Sequence, residues 1–267
     1  VLISCGGGEL MCEILEYVDF DKISKATPQW YMGYSDNTNF TYLLTILCDT
    51  ASIYGPCAGA FGMSPWYDNI QDAYDLLRGK KLNQTGYKLW EKKSLKSEEN
   101  PLAPINATEP RVLRVYNNGV LSDENDTIKF SGRFIGGCMD CLVNLLGTKY
   151  DKTVEFIEKY KNDGIVWFLE SCDLNVFAIR RAMWQMDNAG WFKYVKGFLI
   201  GRPMVHGQQM MGLDQYEAVM AIIRKYNVPV IMDTDIGHVA PTMPIICGSY
   251  ADIEIKGQEL NINMSLK

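Results

Sequence analysis

Short apolar runs along this chain are followed by glycine-containing turns and then by segments with apolar residues at helical spacing. The first run is residues 1–5, a glycine turn follows at residues 6–8, and residues 9–17 place apolar side chains on one helical face. The second run, residues 30–32, ends at a glycine, and residues 36–48 have the spacing of an amphipathic helix. Repetition of strand, turn and helix predicts an α/β fold.

Residues 78–110 interrupt this alternation. They are rich in charged residues, Asn, Pro and Ser, which predicts a linker or an active-site flap. Tyr87 and Trp90 are the only large aromatic residues in this segment. Two interpretations of these side chains remain open, as anchors into the body of the protein or as a lid over a ligand.

The α/β alternation resumes beyond the flap. Residues 112–116 and 127–130 are predicted to form a hairpin around an Asn-Asn-Gly turn. Further predicted elements are helices at 138–146, 153–161, 175–188 and 214–226, strands at 164–169, 195–200 and 228–232, and two antiparallel tail strands at 251–255 and 260–266. We therefore expect an N-terminal α/β domain over 1–80, a flap over 81–110 and a C-terminal α/β domain over 111–267.

Composition and charge narrow the range of partners. The chain has 267 residues, of which 47% are apolar and 22% are charged, as is usual for a globular protein of one or two domains. The net charge of −6 and the scattered Lys and Arg residues argue against a nucleic-acid polymer as partner. No apolar run reaches the roughly 18 residues of a membrane-spanning helix, so no membrane partner is predicted.

The eight cysteines are scattered through apolar segments, which is typical of reduced thiols in a cytoplasmic protein. Cys138 and Cys141 form the one close pair, and no second pair or neighbouring histidine completes a metal site. Asp233 and Asp235 likewise lack ligands at the right spacing apart from His238. We predict neither a metal nor a cofactor.

Ser35 follows the predicted strand over 30–32 and the turn at Gly33, and it precedes the helix over 36–48. A turn of this kind lifts a side chain clear of the sheet and directs free backbone N–H groups at a ligand. Ser35 is therefore either an N-cap residue or an exposed nucleophile beside oxyanion donors. The glycine turn at 6–8 is neither a dinucleotide-binding nor a P-loop motif, and it suits close backbone approach to such a site.

Two further polar residues lie at predicted strand ends. Glu170 directly follows an apolar strand, and His238 follows the strand over 228–232 and a glycine. The order Ser35, Glu170, His238 matches the order of a nucleophile, an orienting acid and a base in α/β-hydrolases, although Asn37 replaces the second glycine of their motif. A solvent-exposed Glu170, and His206 as the rival base, remain open alternatives.

With these residues in view, the chain resembles the serine peptidase family of LD-carboxypeptidases and microcin-C immunity proteins. The resemblance runs along the whole chain and rests on several short motifs in the same order. These are Gly7-Gly8 with Glu13-Ile14-Leu15 and Tyr17-Val18-Asp19, Gly33-Tyr34-Ser35-Asp36-x-Thr38, Tyr54-Gly55-Pro56, Gly136-Gly137 with Leu146-Gly147-Thr148, Phe168-Leu169-Glu170, and Gly237-His238 with Pro241.

The resemblance implies a hydrolase with a Ser-His-Glu triad. In it Ser35 is the nucleophile, His238 the general base and acid, and Glu170 the group that orients the imidazole. The same resemblance implies cleavage of an amide bond through an acyl-enzyme.

The resemblance also implies an oxyanion hole formed by the backbone N–H groups of Asp36 and of the turn at Gly7 and Gly8. It implies a Rossmann-like N-terminal domain plus a C-terminal α/β domain, and a homodimer. Family members start further upstream, so we expect this chain to be truncated at its start by roughly one or two βα units.

Two branches of the family differ in substrate. LD-carboxypeptidases remove a terminal D-amino acid from murein peptides, whereas immunity proteins cleave an aminoacyl-nucleotide amide. Glu13 and the long flap favour the immunity-like branch, with Trp90 as an aromatic platform for a base. Arg202 and Arg133 are the candidates for binding a substrate carboxylate.

Two alternatives to a serine hydrolase remain open. One is a ligand-binding protein without catalytic activity on the same scaffold. The other is a thiol enzyme that uses Cys138 or Cys5.

Overall fold

The computed structural model describes residues 1–266 and confirms the predicted α/β class. Its strands, in chain order, are β1 Leu2–Ile3, β2 Tyr31–Gly33, β3 Ser52–Tyr54, β4 Asn83–Gln84, β5 Leu89–Trp90, β6 Glu109–Pro110, β7 Arg114–Asn117, β8 Val120–Leu121, β9 Thr127–Cys138, β10 Ile165–Glu170, β11 Val195–Gly201, β12 Gln209–Met210, β13 Leu213–Asp214, β14 Val230–Thr234, β15 Ile245–Cys247, β16 Tyr250–Lys256 and β17 Glu259–Ser265.

The α-helices are α1 Met11–Ile14, α2 Phe20–Ser24, α3 Thr38–Cys48, α4 Asp68–Leu77, α5 Met139–Leu145, α6 Thr153–Lys159, α7 Val176–Asn188 and α8 Gln215–Ile223. Short 3₁₀ segments occur at Leu15–Tyr17, Ser35–Asn37, Ala58–Gly62 and Arg224–Tyr226. None of the helices within residues 1–266 is long and apolar enough to cross a membrane.

The first sheet has the strand order β1-β2-β3-β15. Its first three strands are parallel, as expected for strand–turn–helix units, and β15 pairs with β3 in the antiparallel sense. Strand β15 comes from the C-terminal part of the chain, so the first sheet includes residues from both sides of the flap. Because one sheet contains strands from both predicted domains, the sheets do not define the domain boundaries, which stay a prediction.

The second sheet has the order β4-β17-β16-β9-β10-β11-β14-β7-β8. Strands β9, β10, β11 and β14 form its parallel centre. The predicted tail strands are present, because β16 pairs with β17 in the antiparallel sense. Parallel strands present their carboxyl ends at one edge, which is where ligand sites of α/β proteins gather.

Helix α3 connects the two sheets. Its Tyr42 ring stacks on Trp191, with centroids 5.7 Å apart, and its hydroxyl lies 2.9 Å from Thr153 Oγ1. At the start of α3, the Thr38 hydroxyl accepts a hydrogen bond from the Cys138 backbone N–H at 3.0 Å. The Thr38 contact holds the first turn of α3, and Ser35 before it, against the carboxyl end of β9.

The predicted hairpin between residues 112–116 and 127–130 is wrong. Strand β7 pairs with β8 and β14, while β9 pairs with β10 and β16. The reason is local, since Asn118 and Gly119 both have positive φ values, 51° and 76°. An Asn-Gly pair in this conformation closes a two-residue hairpin. The predicted turn is therefore present, but its second strand is β8 and not the strand that begins at residue 127.

Candidate active site

The turn at Ser35 is a strained strand-to-helix connection. Strand β2 ends at Gly33, and Ser35 begins the 3₁₀ segment before α3 with a φ of 64°. Positive φ is uncommon for a residue with a side chain and is found where the surrounding structure enforces it. A Cβ added to Gly33 would lie 2.7 Å from Asn37 Cγ, so the tight turn requires glycine there. The N-cap interpretation of Ser35 is wrong, because its hydroxyl is hydrogen-bonded to another part of the chain.

That hydroxyl faces His238. Ser35 Oγ lies 2.8 Å from His238 Nε2, and His238 Nδ1 lies 2.8 Å from Glu170 Oε2. Glu170 is the last residue of β10 and is fully buried, and His238 lies in the loop after β14. The structure thus brings together three residues that are far apart in the sequence, with the spacing that a nucleophile, a base and an orienting acid require.

A tyrosine completes the surroundings of Glu170. Tyr54, at the end of β3, donates its hydroxyl to Glu170 Oε1 at 2.5 Å and accepts the Ser35 backbone N–H at 3.3 Å. No role for Tyr54 was predicted, although Tyr54-Gly55-Pro56 was among the family motifs. Its place at the carboxyl end of the parallel strand β3 is the signal by which it could have been found.

Glycines allow the other groups to approach Glu170 closely. Gly237 has a φ of 106°, and a Cβ there would overlap the Glu170 carboxylate. A Cβ on Gly201 would lie 2.8 Å from Glu170 Cβ. Only glycine fits at these positions, so the packing holds the carboxylate in one place against His238.

The pKa of His238 is raised above its ordinary value. Burial by itself lowers this pKa, and hydrogen bonds to Cys172 and Glu170, together with the negative charge of Glu170, outweigh it. The pKa of Tyr54 is raised well above its usual range, first by burial and then by the charge of Glu170. Tyr54 therefore remains a hydrogen-bond donor to the carboxylate.

The glycine turn lies against Ser35. A Cβ added to Gly7 would be 3.3 Å from Ser35 Oγ, and one added to Gly8 would be 3.0 Å from Asp36 Oδ2. The Asp36 side chain accepts a hydrogen bond from the Met11 backbone N–H at 2.9 Å, which holds the start of α1 beside the turn at Ser35. Backbone groups of this turn and the amide of Asp36 are thus beside the hydroxyl, where a developing negative charge can be stabilised.

Two cavities border the Ser35–His238 pair. The first, of about 220 Å³, is lined by Gly8, Glu9, Cys12, Ser35, Asp36, Asn39, Cys138, Asp140, Cys141, Asn144, Cys172 and Asp173. The second, also about 220 Å³, is lined by Tyr34, Pro56, Met63, Asn69, Glu91, Ser94, Lys96, Ile105, His238, Ala240 and Thr242. We call them the serine-side cavity and the histidine-side cavity.

Comparison with known sequences gives matches to two domains of one family. The profile of the LD-carboxypeptidase N-terminal domain matches residues 1–55, and that of the LD-carboxypeptidase C-terminal domain matches residues 131–253. The chain belongs to the LD-carboxypeptidase family of serine peptidases. Members are serine hydrolases that act on amide bonds. A search of curated proteins finds no match.

Solved structures share the fold of this LD-carboxypeptidase family member. An MccF-like protein from Bacillus anthracis has a TM-score of 0.77 and 20% identity, covering 99% of this chain and 76% of that one. The microcin C7 self-immunity protein MccF in complex with aspartyl sulfamoyl adenosine has a TM-score of 0.77 and 19% identity, with coverages of 99% and 75%. An MccF-like protein from Streptococcus pneumoniae in complex with AMP has a TM-score of 0.73 and 18% identity, with coverages of 98% and 78%.

The candidate substrate-binding residues Arg202 and Trp90 line neither cavity of this family member. Arg202 is 2% exposed and pairs with Asp235 at 3.3 Å, and its guanidinium lies 4.7 Å from the centre of the Trp90 ring. His206, the rival base, packs on Trp90 and lies 3.9 Å from Asp233. It is His238 that contacts Ser35.

Arg133, the other candidate for binding a substrate carboxylate, also lines neither cavity. It is 6% exposed, and its guanidinium is paired with Asp163 at 2.5 Å. The flap residue Tyr87 is an anchor, since it is buried and its hydroxyl contacts Asp72 at 3.1 Å.

The eight cysteines are free thiols, and four of them line the serine-side cavity. Within residues 1–266, Cys138, Glu170 and His238 form one group of potential metal ligands whose donor atoms lie within 4.8 Å of one another. A hydrogen bond with Cys141, followed by burial, raises the pKa of Cys138 well above its usual range. Cys138 is therefore held as a thiol, which is a poor nucleophile.

Proposed function

We propose that this chain is a serine hydrolase that cleaves an amide bond through an acyl-enzyme. Ser35 is the nucleophile, His238 the general base and acid, and Glu170 the residue that orients the imidazole. One observation carries the proposal: the hydrogen-bonded series from Ser35 Oγ through His238 to Glu170, with both contacts at 2.8 Å. This chemistry requires a nucleophile and a base within hydrogen-bond distance of each other, and a third group that orients the base.

In the first step Ser35 Oγ attacks the carbonyl carbon while His238 Nε2 takes the hydroxyl proton. The Asp36 amide and the glycine turn at residues 6–8 stabilise the oxyanion that forms. The C–N bond then breaks, and the imidazolium returns the proton to the leaving nitrogen. Water attacks the acyl-enzyme with His238 again as base, which releases the carboxylic acid and regenerates Ser35.

The two cavities suit the two sides of the bond. Because His238 protonates the leaving nitrogen, the leaving group occupies the histidine-side cavity, and the acyl group occupies the serine-side cavity. The histidine-side cavity includes Tyr34 and the flap residues Ser94, Lys96 and Ile105. Its mixed lining also contains one carboxylate, Glu91. The aromatic ring of Tyr34 can stack on a base and Lys96 can pair with an anionic group, which suits a nucleotide-like leaving group.

We place the chain in the immunity-like branch, with an aminoacyl-nucleotide amide as substrate. The flap beside His238 and the MccF-like fold support this choice, since related structures contain aspartyl sulfamoyl adenosine, glutamyl sulfamoyl guanosine or AMP. A murein peptide is the second candidate, supported by the family profiles. A homodimer in the cytoplasm is the assembly and location that we propose with this function.

The test compares the wild type with Ser35→Ala on an aminoacyl sulfamoyl adenosine and on a murein tetrapeptide. We expect the wild type to cleave the first, and Ser35→Ala to lose turnover by about 10⁴-fold or more while it remains folded. Ser24→Ala, at an exposed serine that ends α2 and lines neither cavity, is the matched control. Undiminished hydrolysis by Ser35→Ala would refute the serine mechanism.

The same assay separates the alternatives. A ligand-binding protein without activity binds the adenosine compound and cleaves neither substrate. A thiol enzyme loses turnover in Cys138→Ala or Cys5→Ala and keeps it in Ser35→Ala. Substitution is the cleaner test of the thiols, because an alkylating reagent on Cys172 would also disturb His238, to which it is hydrogen-bonded.

A further inference from the structure

The serine-side cavity is acidic throughout its lining. Glu9, Asp36, Asp140 and Asp173 contribute carboxyl groups, and no lysine, arginine or histidine lines the cavity within residues 1–266. Side-chain carboxyl groups are ordinarily ionised at neutral pH. A substrate group that enters this cavity next to Ser35 therefore meets negative charge and no compensating cation.

The acidic groups are held by contacts that keep them in place. Asp140, in the first turn of α5, accepts the backbone N–H groups of Cys172 at 3.1 Å and Asp173 at 2.8 Å. This carboxylate fixes the loop directly after Glu170, on which Asp173 is exposed. The contact between this loop and α5 thus places two carboxyl groups, Asp140 and Asp173, on the cavity wall.

A second observation comes from Asn39, which lines the same cavity and is 2% exposed. Its Nδ2 donates to Asp36, and its Oδ1 has no hydrogen-bond donor within residues 1–266. Buried acceptors ordinarily have a hydrogen-bond donor. Together with the four carboxyl groups, this unpaired acceptor makes the residues of the lining rich in acceptors, which favours a cationic, hydrogen-bond-donating group.

We propose that the serine-side cavity selects substrates whose acyl group carries a positively charged side chain. This inference rests on the proposed function and names its substrate class. It separates this chain from the relatives whose ligands are aspartyl and glutamyl compounds, since an acidic side chain in this cavity would face four carboxyl groups. Glu9 and Asp173 are the specificity-determining residues, because both are exposed toward solvent and free of the structural bonds that occupy Asp36 and Asp140.

The test uses acyl groups of similar length and different charge, namely lysyl, norleucyl and glutamyl, each joined to sulfamoyl adenosine and, in a second series, to D-alanine. The charged group of the acyl side chain would lie a few ångströms from several carboxylates. At an effective dielectric constant of about 20, reversing its charge changes the binding affinity by about tenfold or more. We expect kcat/KM to fall from lysyl to norleucyl to glutamyl, with lysyl above glutamyl by at least that factor. Equal rates, or a preference for glutamyl, in both series would overturn the proposal.

Variants assign the selectivity to residues. Asp173→Asn and Glu9→Gln should each lower the ratio of lysyl to norleucyl kcat/KM, and Asp173→Lys should favour glutamyl. Asp21→Asn, an exposed acid outside the cavity, is the matched control and should leave the ratio unchanged. Ratios in Asp173→Asn and Glu9→Gln that equal that of Asp21→Asn would contradict the assignment.

Binding to Ser35→Ala separates this inference from the proposed hydrolysis. Calorimetry with this variant measures the affinity for the lysyl and glutamyl compounds without turnover. Tighter binding of the lysyl compound supports the cavity's selectivity even if the wild type hydrolyses neither, which would refute only the proposed function. Hydrolysis without any charge preference in binding or rate would refute only the selectivity.

Discussion

The hydroxyl of Tyr54 contacts both the Glu170 carboxylate and the backbone amide of Ser35. Glu170 is fully buried, and a buried carboxylate is costly unless hydrogen bonds surround it. Tyr54 and His238 together supply those bonds. At the scale of single residues, the candidate site is therefore a satisfied polar network that extends beyond the three proposed catalytic side chains.

Tyr54→Phe removes one donor from Glu170 and leaves the ring in place. Hydrogen bonds to charged groups contribute about 1.5–3 kcal/mol, so we expect kcat/KM to fall by about tenfold to a hundredfold. Tyr42→Phe is the matched control, because Tyr42 is equally buried and bonds to Thr153 away from Ser35. Similar activity losses in the two variants would show that Tyr54 acts only through stability.

Glu170→Gln tests the cause of the raised His238 pKa. The base must be neutral to accept the Ser35 proton, so a raised pKa places the acid limb of kcat/KM above the ordinary histidine value of about 6.5. The amide removes the negative charge, which lets burial lower the pKa. We expect the midpoint to move to lower pH and the plateau to fall by about 10²–10⁴-fold. A midpoint that stays in place or rises would contradict this account.

At the scale of elements, the site is built where strands from two sheets end. Strands β2 and β3 bring Ser35 and Tyr54, while β10 and the loop after β14 bring Glu170 and His238. Such close approach of backbone segments is permitted by glycines, and Gly201 and Gly237 lie against Glu170. The loop that carries His238 thus depends on one glycine for its position.

Gly237→Ala should reduce both stability and activity. Its φ of 106° is unfavourable for alanine, and the added Cβ would overlap the Glu170 carboxylate. Gly79→Ala is the control, because Gly79 also has a positive φ, 68°, and no atom within 4 Å of an added Cβ. We expect Gly79→Ala to cost about 1–2 kcal/mol in urea unfolding with full activity, and Gly237→Ala to cost more and to lose turnover. Equal effects would show that the contact with Glu170 is unimportant.

At the scale of the whole molecule, a buried charge cluster joins the flap to the body. Asp235 Oδ2 accepts the Tyr87 backbone N–H at 2.8 Å and lies 3.5 Å from Arg111, and its other oxygen lies 3.3 Å from Arg202. Burial raises the pKa of Asp235 and lowers that of Arg202, so desolvation offsets part of their attraction. The cluster sits three residues before His238, and it links the flap, β11 and β14.

Asp235→Ala should leave the buried Arg202 and the partly buried Arg111 without the carboxylate that they share. Breaking a buried ion pair from one side costs about 3–5 kcal/mol, and we expect that loss in urea unfolding together with faster proteolysis of residues 81–110. Glu254→Ala is the control, because its pair with Lys129 is solvent-exposed and such pairs contribute about 0–1 kcal/mol. A loss for Asp235→Ala no larger than for Glu254→Ala would show that the flap is held by its apolar contacts alone.

The α/β class, most of the elements and the polar residues at the strand ends could be predicted from the amino-acid sequence alone. These are local properties, since apolar periodicity and glycine turns act over a few residues, and Ser35, Glu170 and His238 could be selected because each follows a strand. The turn at Asn118 and Gly119 is also local and was predicted, but its partner strand, Val120–Leu121, has only two residues and gives no apolar periodicity to detect.

Which of these residues are in contact follows from the tertiary structure and not from the sequence pattern. Spacing along the sequence does not give the distance between strands of two different sheets. The packing of α3 on the second sheet was therefore needed to see that His238 and not His206 contacts Ser35. The same holds for the role of Tyr54 and for the burial of Arg202 beneath Trp90. The acidic wall of the serine-side cavity arises in the same way. Its carboxyl groups come from the turn before α1, the 3₁₀ segment before α3, helix α5 and the loop after β10. Their charges act together only because the fold brings them to one side of Ser35.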